Sequence, residues 1–382
     1  MKAPSEARLS RNENRRRLIH GSSGNSARRS TRSASTWQGG GFNLVARPDF
    51  QDQTNTFLEL NLTTDSLSFD PISSAIPNRG FLQPDIALFG LTYLQQISDA
   101  TTGGALHIEP GIWINKPPTA QPLAAPPPGG QLVARMANIP HGNSLLAQGT
   151  AAPFVGPPVI SPGAQPISGS NPAFSSFPSF NSTPFTPIFP GSPMFAAGNS
   201  EAQSKPGGGF AQYTLANPLA PQNPQNTRTP LGNLPPVLPP SITQQLVNDP
   251  IILLQQTVQQ QIADGYQFDR VAINISTIPA INFNTQPIVL PGSPNSPTVS
   301  VNSPLFGGGI VNLDFLQPNA DSGLFYATFW LEKLTHPDGR PMIMQLQYAQ
   351  MTLLNFPALT IPTKPNFSWP HINVGTLQRT FG

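Results

Sequence analysis

The chain has 382 residues, a formal net charge of +2, no cysteine, 47 prolines and 32 glycines. That proline and glycine load is too high for regular structure throughout, so long loops are expected, and the missing thiol excludes disulfides and thiolate catalysis. No stretch approaches the 18 apolar residues of a membrane-spanning helix, and with only 10% charged residues the polar surface falls to Asn, Gln, Ser and Thr.

Charge is unevenly placed. Residues 1–36 hold nine Lys/Arg and two Glu (+7), which leaves eleven basic and sixteen acidic residues (−5) in the rest. Arg15, Arg16, Arg17, Arg28 and Arg29 stand among Ser, Asn and Gly with no apolar h-region, against a secretory signal, and Glu6 and Glu13 argue against a transit peptide. A disordered basic tail over 1–36 is expected, solvated or touching an anionic surface such as nucleic acid. Residues 37–382 are expected to form one domain of a soluble, cytoplasmic protein.

Strands dominate the first third. From Phe57 to Thr63, Leu58, Leu60 and Leu62 alternate with Glu59 and Asn61, the period of a half-buried strand, and Leu67 and Phe69 continue it. Further strands are expected over 86–97, 105–115, 132–139 and 144–150, separated by turn residues at 99–104 and 140–143. Pro-rich insertions are read at 117–130 and 151–240. The second holds 20 of the 47 prolines, only three charges and eight phenylalanines, including Phe174, Phe177 and Phe180. Proline at that density prevents a ladder or a long helix, while the phenylalanines point to docking on the barrel or on another subunit, as in a homo-oligomer, against plain disorder.

A helical segment is expected over 241–265, with Asp249 as cap, Pro250 in the first turn and Gly265 at the end. Its Gln-rich face and narrow apolar stripe predict packing on the barrel. A strand over 271–275, two strands over 324–334 and 342–355 flanking the turn His336-Pro337-Asp338-Gly339, and a last strand over 371–379 complete the pattern. The glycine triplets at 39–41, 207–209 and 307–309 lack the strand-to-helix context of phosphate loops and read as turns. The fold class is therefore all-β: a calycin- or lipocalin-like antiparallel β-barrel of eight or more strands, with long Pro/Gly-rich insertions and one or two helices.

Hydrolase elbows, zinc-protease motifs and acidic calcium loops are absent from the sequence. The chemistry falls to five histidines. His107 and Glu109, two apart on a strand, share a face with Trp113, and His371 opens the final strand. His141, in Pro140-His141-Gly142-Asn143, reads as a turn residue. His336 reads as a solvated turn residue, and Arg79 as a surface arginine or a partner for a ligand carboxylate.

The order of three motifs resembles the nitrobindin-like haem-binding β-barrel family: Thr36-Trp37-Gln38-Gly39-Gly40-Gly41, Leu106-His107-Ile108-Glu109-Pro110-Gly111-Ile112-Trp113, and Pro370-His371-Ile372-Asn373-Val374-Gly375-Thr376-Leu377. The resemblance spans about half the residues and is similar also to a larger group with long insertions described as haem-binding. It implies haem b in the barrel, His371 as the iron ligand, His107 and Trp113 as cofactor-binding residues, and nitric oxide binding or action on peroxynitrite or peroxide. Two other readings stay open from the residues: a lipocalin-like carrier or cyclase for an apolar small molecule, and a structural barrel that self-assembles through its Phe/Pro segment.

Overall fold

Alternation gives each strand two faces, and only closure of the sheet decides which face is inside. The computed structural model describes residues 34–50, 54–158 (apart from 82, 118, 121–122 and 125–130), 160, 238–277 (apart from 249), 286–288, 299–301, 308–357 (apart from 317–318) and 366–380. Ten strands carry the fold. They are β1 (Ser35–Asp49), β2 (Thr54–Pro71), β3 (Ile86–Asp99), β4 (Ala105–Lys116), β5 (Gln131–Ile139), β6 (Asn143–Val155), β7 (Gln267–Ser276), β8 (Asp321–Thr335), β9 (Ile343–Pro357) and β10 (Asn366–Thr380). Each pairs antiparallel with the next, and β10 returns to β1, so the sheet closes as an up-and-down barrel. Between β6 and β7, which are still direct neighbours, the chain inserts residues 156–266. β6 also runs five residues beyond its expected end, so the insertion begins after Val155.

The faces are distributed unlike a simple oil-filled barrel. In β2 the leucine face points outward: Leu60 is buried against a helical layer, while Asp65 on the opposite face is buried in the lumen. That layer contains α1 (Gln244–Asn248) and α2 (Ile252–Ala263). It brings Ile242, Leu246, Val247, Ile251, Leu254 and Val258 onto Phe42, Tyr326, Trp330, Met351 and Ile372 of the barrel's outer face. Burial of six such apolar side chains contributes on the order of 10 kcal/mol of gross transfer free energy. The expected helix packing is thus present. Its start differs: residue 249 lies outside the described residues, and Ile251 takes the N-cap position at φ −67° without a side-chain cap bond. Gly265 ends the helix at φ 90°, a conformation that favours glycine.

Two further expectations change. Gly39 and Gly41 lie inside β1 rather than in a turn, because β10 crosses so closely that a Cβ would meet Thr376 O at 2.0 Å and Val374 O at 1.9 Å. His336 is not solvated: its side chain is only 10% exposed, its Nε2–H donates to Asp264 O at 2.7 Å, and its ring meets Tyr266 edge-on. It ties the β8–β9 turn to the end of α2. The triplet at 207–209 and the phenylalanines at 174–210 lie outside the described residues. No helix among the described residues is long and apolar enough to cross a membrane.

Candidate functional site

The middle of the lumen is solid. Trp37, Tyr93, Phe329, Leu346, Tyr348 and Leu377 fill it, and Trp113 packs there edge-on to Phe329 with ring centres 5.3 Å apart. Toward one end the filling stops and a cavity of about 390 Å³ opens. The ends of eight strands meet around it, which brings together residues from β1 through β10. Its wall includes Val45 from β1, Glu59 from β2, His107 and Glu109 from β4, His141 from the β5–β6 turn, Phe325 from β8, and His371 and Asn373 from β10. Leu316 and Ala320, which follow the short strand Gly309–Asn312 paired with the start of β6, also line it.

Three of the five histidines thus share one cavity. His107 and His141 face each other with ring centres 5.9 Å apart and planes tilted by 36°. His371 lies on β10 beside Val45 of β1 and Thr352 of β9. Burial, with His107 and His141 adding repulsion, drives its pKa far below the usual imidazole range, to about 3, so the ring is neutral. Its Nε2–H donates to Asn43 Oδ1 at 2.8 Å. The chain of bonds continues from Asn43 Nδ2 to Asn61 Oδ1 at 3.3 Å and from Asn61 Nδ2 to Asp99 Oδ2 at 2.7 Å, and Asp99 accepts the backbone N–H of Thr101 at 2.8 Å. A fixed N–H on one ring nitrogen leaves the lone pair on the other, the arrangement that metal-ligating histidines use.

Beneath His107 lies a charged network. His107 Nε2–H donates to Glu109 Oε2 at 3.3 Å, while Tyr93 Oη and the Arg135 guanidinium both donate to Glu109 Oε1. Arg135 also donates to Tyr93 Oη at 2.8 Å and to Gln350 Oε1 at 3.2 Å. Its guanidinium carbon lies 5.2–5.7 Å from the ring centres of Tyr93, Phe325, Phe329 and Trp113. Burial pushes the Glu109 carboxyl up, but Arg135 and His107 outweigh it and hold the pKa at about 2, so the carboxylate is charged. Deeper still, Asp65 accepts from Tyr348 Oη at 2.5 Å and Gln95 Nε2 at 2.9 Å, while burial raises its pKa. At the mouth Arg47 and Glu59 pair at 3.1 Å, part-exposed and therefore worth little in stability.

Of the expected site residues, His371 and His107 are brought together in the cavity. Trp113 is not: it points into the filled layer, where it packs on Phe329 and Arg135, because the strand continues past the cavity floor before reaching it. Arg79 is far more exposed than a pocket residue, 79%, and pairs with Asp85. His141, Arg135 and Asn43 were missed. His141 sits in a turn, as expected, but the turn folds over the cavity. Arg135 had a legible signal: an arginine on the same strand face as Val133 and Ala137 places a charge where a core residue belongs. Among the described residues no three His, Asp or Glu side chains are arranged to hold a metal ion, so the imidazoles are not a chelating set.

Compared with family models, curated proteins and solved structures, the chain gives no match.

Proposed function

We propose that this barrel binds haem in the histidine-lined cavity, with His371 as its one protein ligand to iron. The observation that carries the reading is a neutral imidazole on the cavity wall whose Nε2–H is committed to Asn43, leaving the second ring nitrogen as a lone-pair donor. Haem fits that donor set because it needs a single axial imidazole, whereas a bare metal ion needs a chelating group. Val45, Leu106, Ile139 and Leu316 supply apolar wall, and a volume of about 390 Å³ lies toward the lower end of ligand pockets, so a macrocycle would keep an edge in the mouth. When bound, haem would supply a metal centre for nitric oxide or peroxide-type ligands. The protein's own part is to hold His371 neutral and oriented, to exclude water behind the aromatic filling, and to set His107 and His141 across the cavity.

The test is an absorbance titration of the full chain with ferric haem. A saturable Soret shift near one haem per chain, lost in His371→Ala with the fold intact by circular dichroism, is expected. A shift unchanged by His371→Ala, or none in the wild type, overturns the reading. A second reading, carriage of a compact apolar molecule, is favoured by the apolar wall of the same cavity. It predicts uptake of an apolar fluorophore that is indifferent to His371→Ala.

A further inference from the structure

In the cavity His107 is paired with the Glu109 carboxylate, while no carboxylate is bonded to His141 among the described residues. Glu109 is engaged by Arg135 and Glu59 by Arg47, so the two carboxylates that line the wall are each matched by a guanidinium. His371 is neutral, and Asp65 lies below the floor bonded to Tyr348 and Gln95. Because Arg135 and Arg47 already balance the Glu109 and Glu59 carboxylates, a proton added at the His107–His141 pair makes the cavity net positive.

The geometry points to a carboxylate-binding subsite between His107 and His141, for an acid with a short apolar tail. The two rings face one another across 5.9 Å, one presented by β4 and the other by the β5–β6 turn, a spacing at which one carboxylate reaches both rings and pairs with the proton they share. Each ring is held from behind: His107 by Glu109 at 3.3 Å, and His141 by a hydrogen bond to the Leu106 backbone. Leu106, Ile139 and Leu316 line the same part of the cavity and suit a few methylene groups. The groups facing the pair are Arg47, Glu59, Glu109, Arg135 and His371. Arg47 with Glu59 and Arg135 with Glu109 are already matched in charge, and His371 is neutral.

This inference rests on the reading of the cavity as a ligand site, but not on haem. The test uses the full chain labelled with ¹⁵N-histidine, whose five ring signals are assigned by substitution, titrated with sodium butyrate against 1-butanol and sodium chloride at equal ionic strength. Butyrate is expected to shift the His107 and His141 signals saturably, with 1-butanol at least tenfold weaker. His141→Gln, on an exposed turn where folding is least at risk, is expected to weaken butyrate at least fivefold, and His107→Gln likewise, while His371→Ala retains it. No saturable shift in the wild type overturns the subsite, as does butyrate binding lost only in His371→Ala or binding matched by 1-butanol. The carboxylate belongs either to a free acid or to a larger ligand seated on His371. Butyrate that competes with haem assigns it to the larger ligand, and simultaneous binding assigns it to a free acid. Butyrate binding without haem uptake leaves this site standing and removes the haem reading; haem uptake without butyrate binding does the reverse.

Discussion

Replacing Arg135 by methionine removes the only guanidinium in contact with the buried Glu109 and keeps most of the side-chain volume. The carboxylate, 3% exposed, is then left in the lumen with Tyr93 and His107 as donors and no full counter-charge. Breaking a buried pair from one side costs about 3–5 kcal/mol. At 2–4 °C per kcal/mol for a barrel of this size, the melting temperature should fall by roughly 6–20 °C. The pH dependence has a defined sign. In the wild type Glu109 is held at about 2 against an ordinary 4.5, so its contribution is present above pH 4.5 and is lost as the pH falls from 4.5 toward 2. Without Arg135, burial dominates and the carboxyl pKa lies above its ordinary value. Stability is then highest in acid and falls as the pH rises through the shifted value. Urea unfolding between pH 3 and 8 measures both effects, and a double-mutant cycle with Glu109→Gln should give a coupling of about 2–3 kcal/mol. A loss below about 1 kcal/mol at pH 7, or an unchanged acid limb, would refute the argument that this pair bears a buried charge.

Three other perturbations probe separate parts of the molecule. Asn43→Leu removes the acceptor for His371 Nε2–H, so ¹⁵N spectra should show His371 as a mixture of tautomers, with a loss of about 1–3 kcal/mol for the unsatisfied groups; a single unchanged tautomer would mean that Asn43 does not fix the ring. Glu332, buried on the outer face beneath α2 where Gln345 donates to it at 2.6 Å, has its pKa raised by burial to about 7. The folded state favours its proton, so stability is fully present below pH 4.5 and is lost as the pH rises through 7. Glu332→Gln should flatten that dependence and gain about 3 kcal/mol at pH 8, read by urea unfolding at pH 5 and 8. Gly41→Ala drives a methyl into Val374 O and should cost at least about 2 kcal/mol or prevent folding; a variant with the wild-type melting temperature would mean β1 and β10 are not so closely apposed.

The positions of the strands were legible because period-2 alternation is a local property: Leu60 and Leu62 against Glu59 and Asn61 announce a strand whatever surrounds them. The turns at 99–104 and 336–339 and the glycine after α2 were readable for the same reason, since backbone conformation at those residues is set by their own chemistry. Which face of each strand turns inward was not local. The Leu60 face of β2 is covered from outside by Ile242, Leu246 and Leu254, which lie far along the chain, and the opposite face was left for the lumen, where Asp65 is hydrogen-bonded and Leu67 joins the apolar filling. The glycines of β1 likewise read as a turn until β10, more than 330 residues away, was laid across them. Sequence could single out His107 and His371 as residue types capable of ligation. Their meeting with His141, and the displacement of Trp113 into the filled layer, were decided only when ten strands closed into one barrel and brought the ends of eight of them to a common mouth.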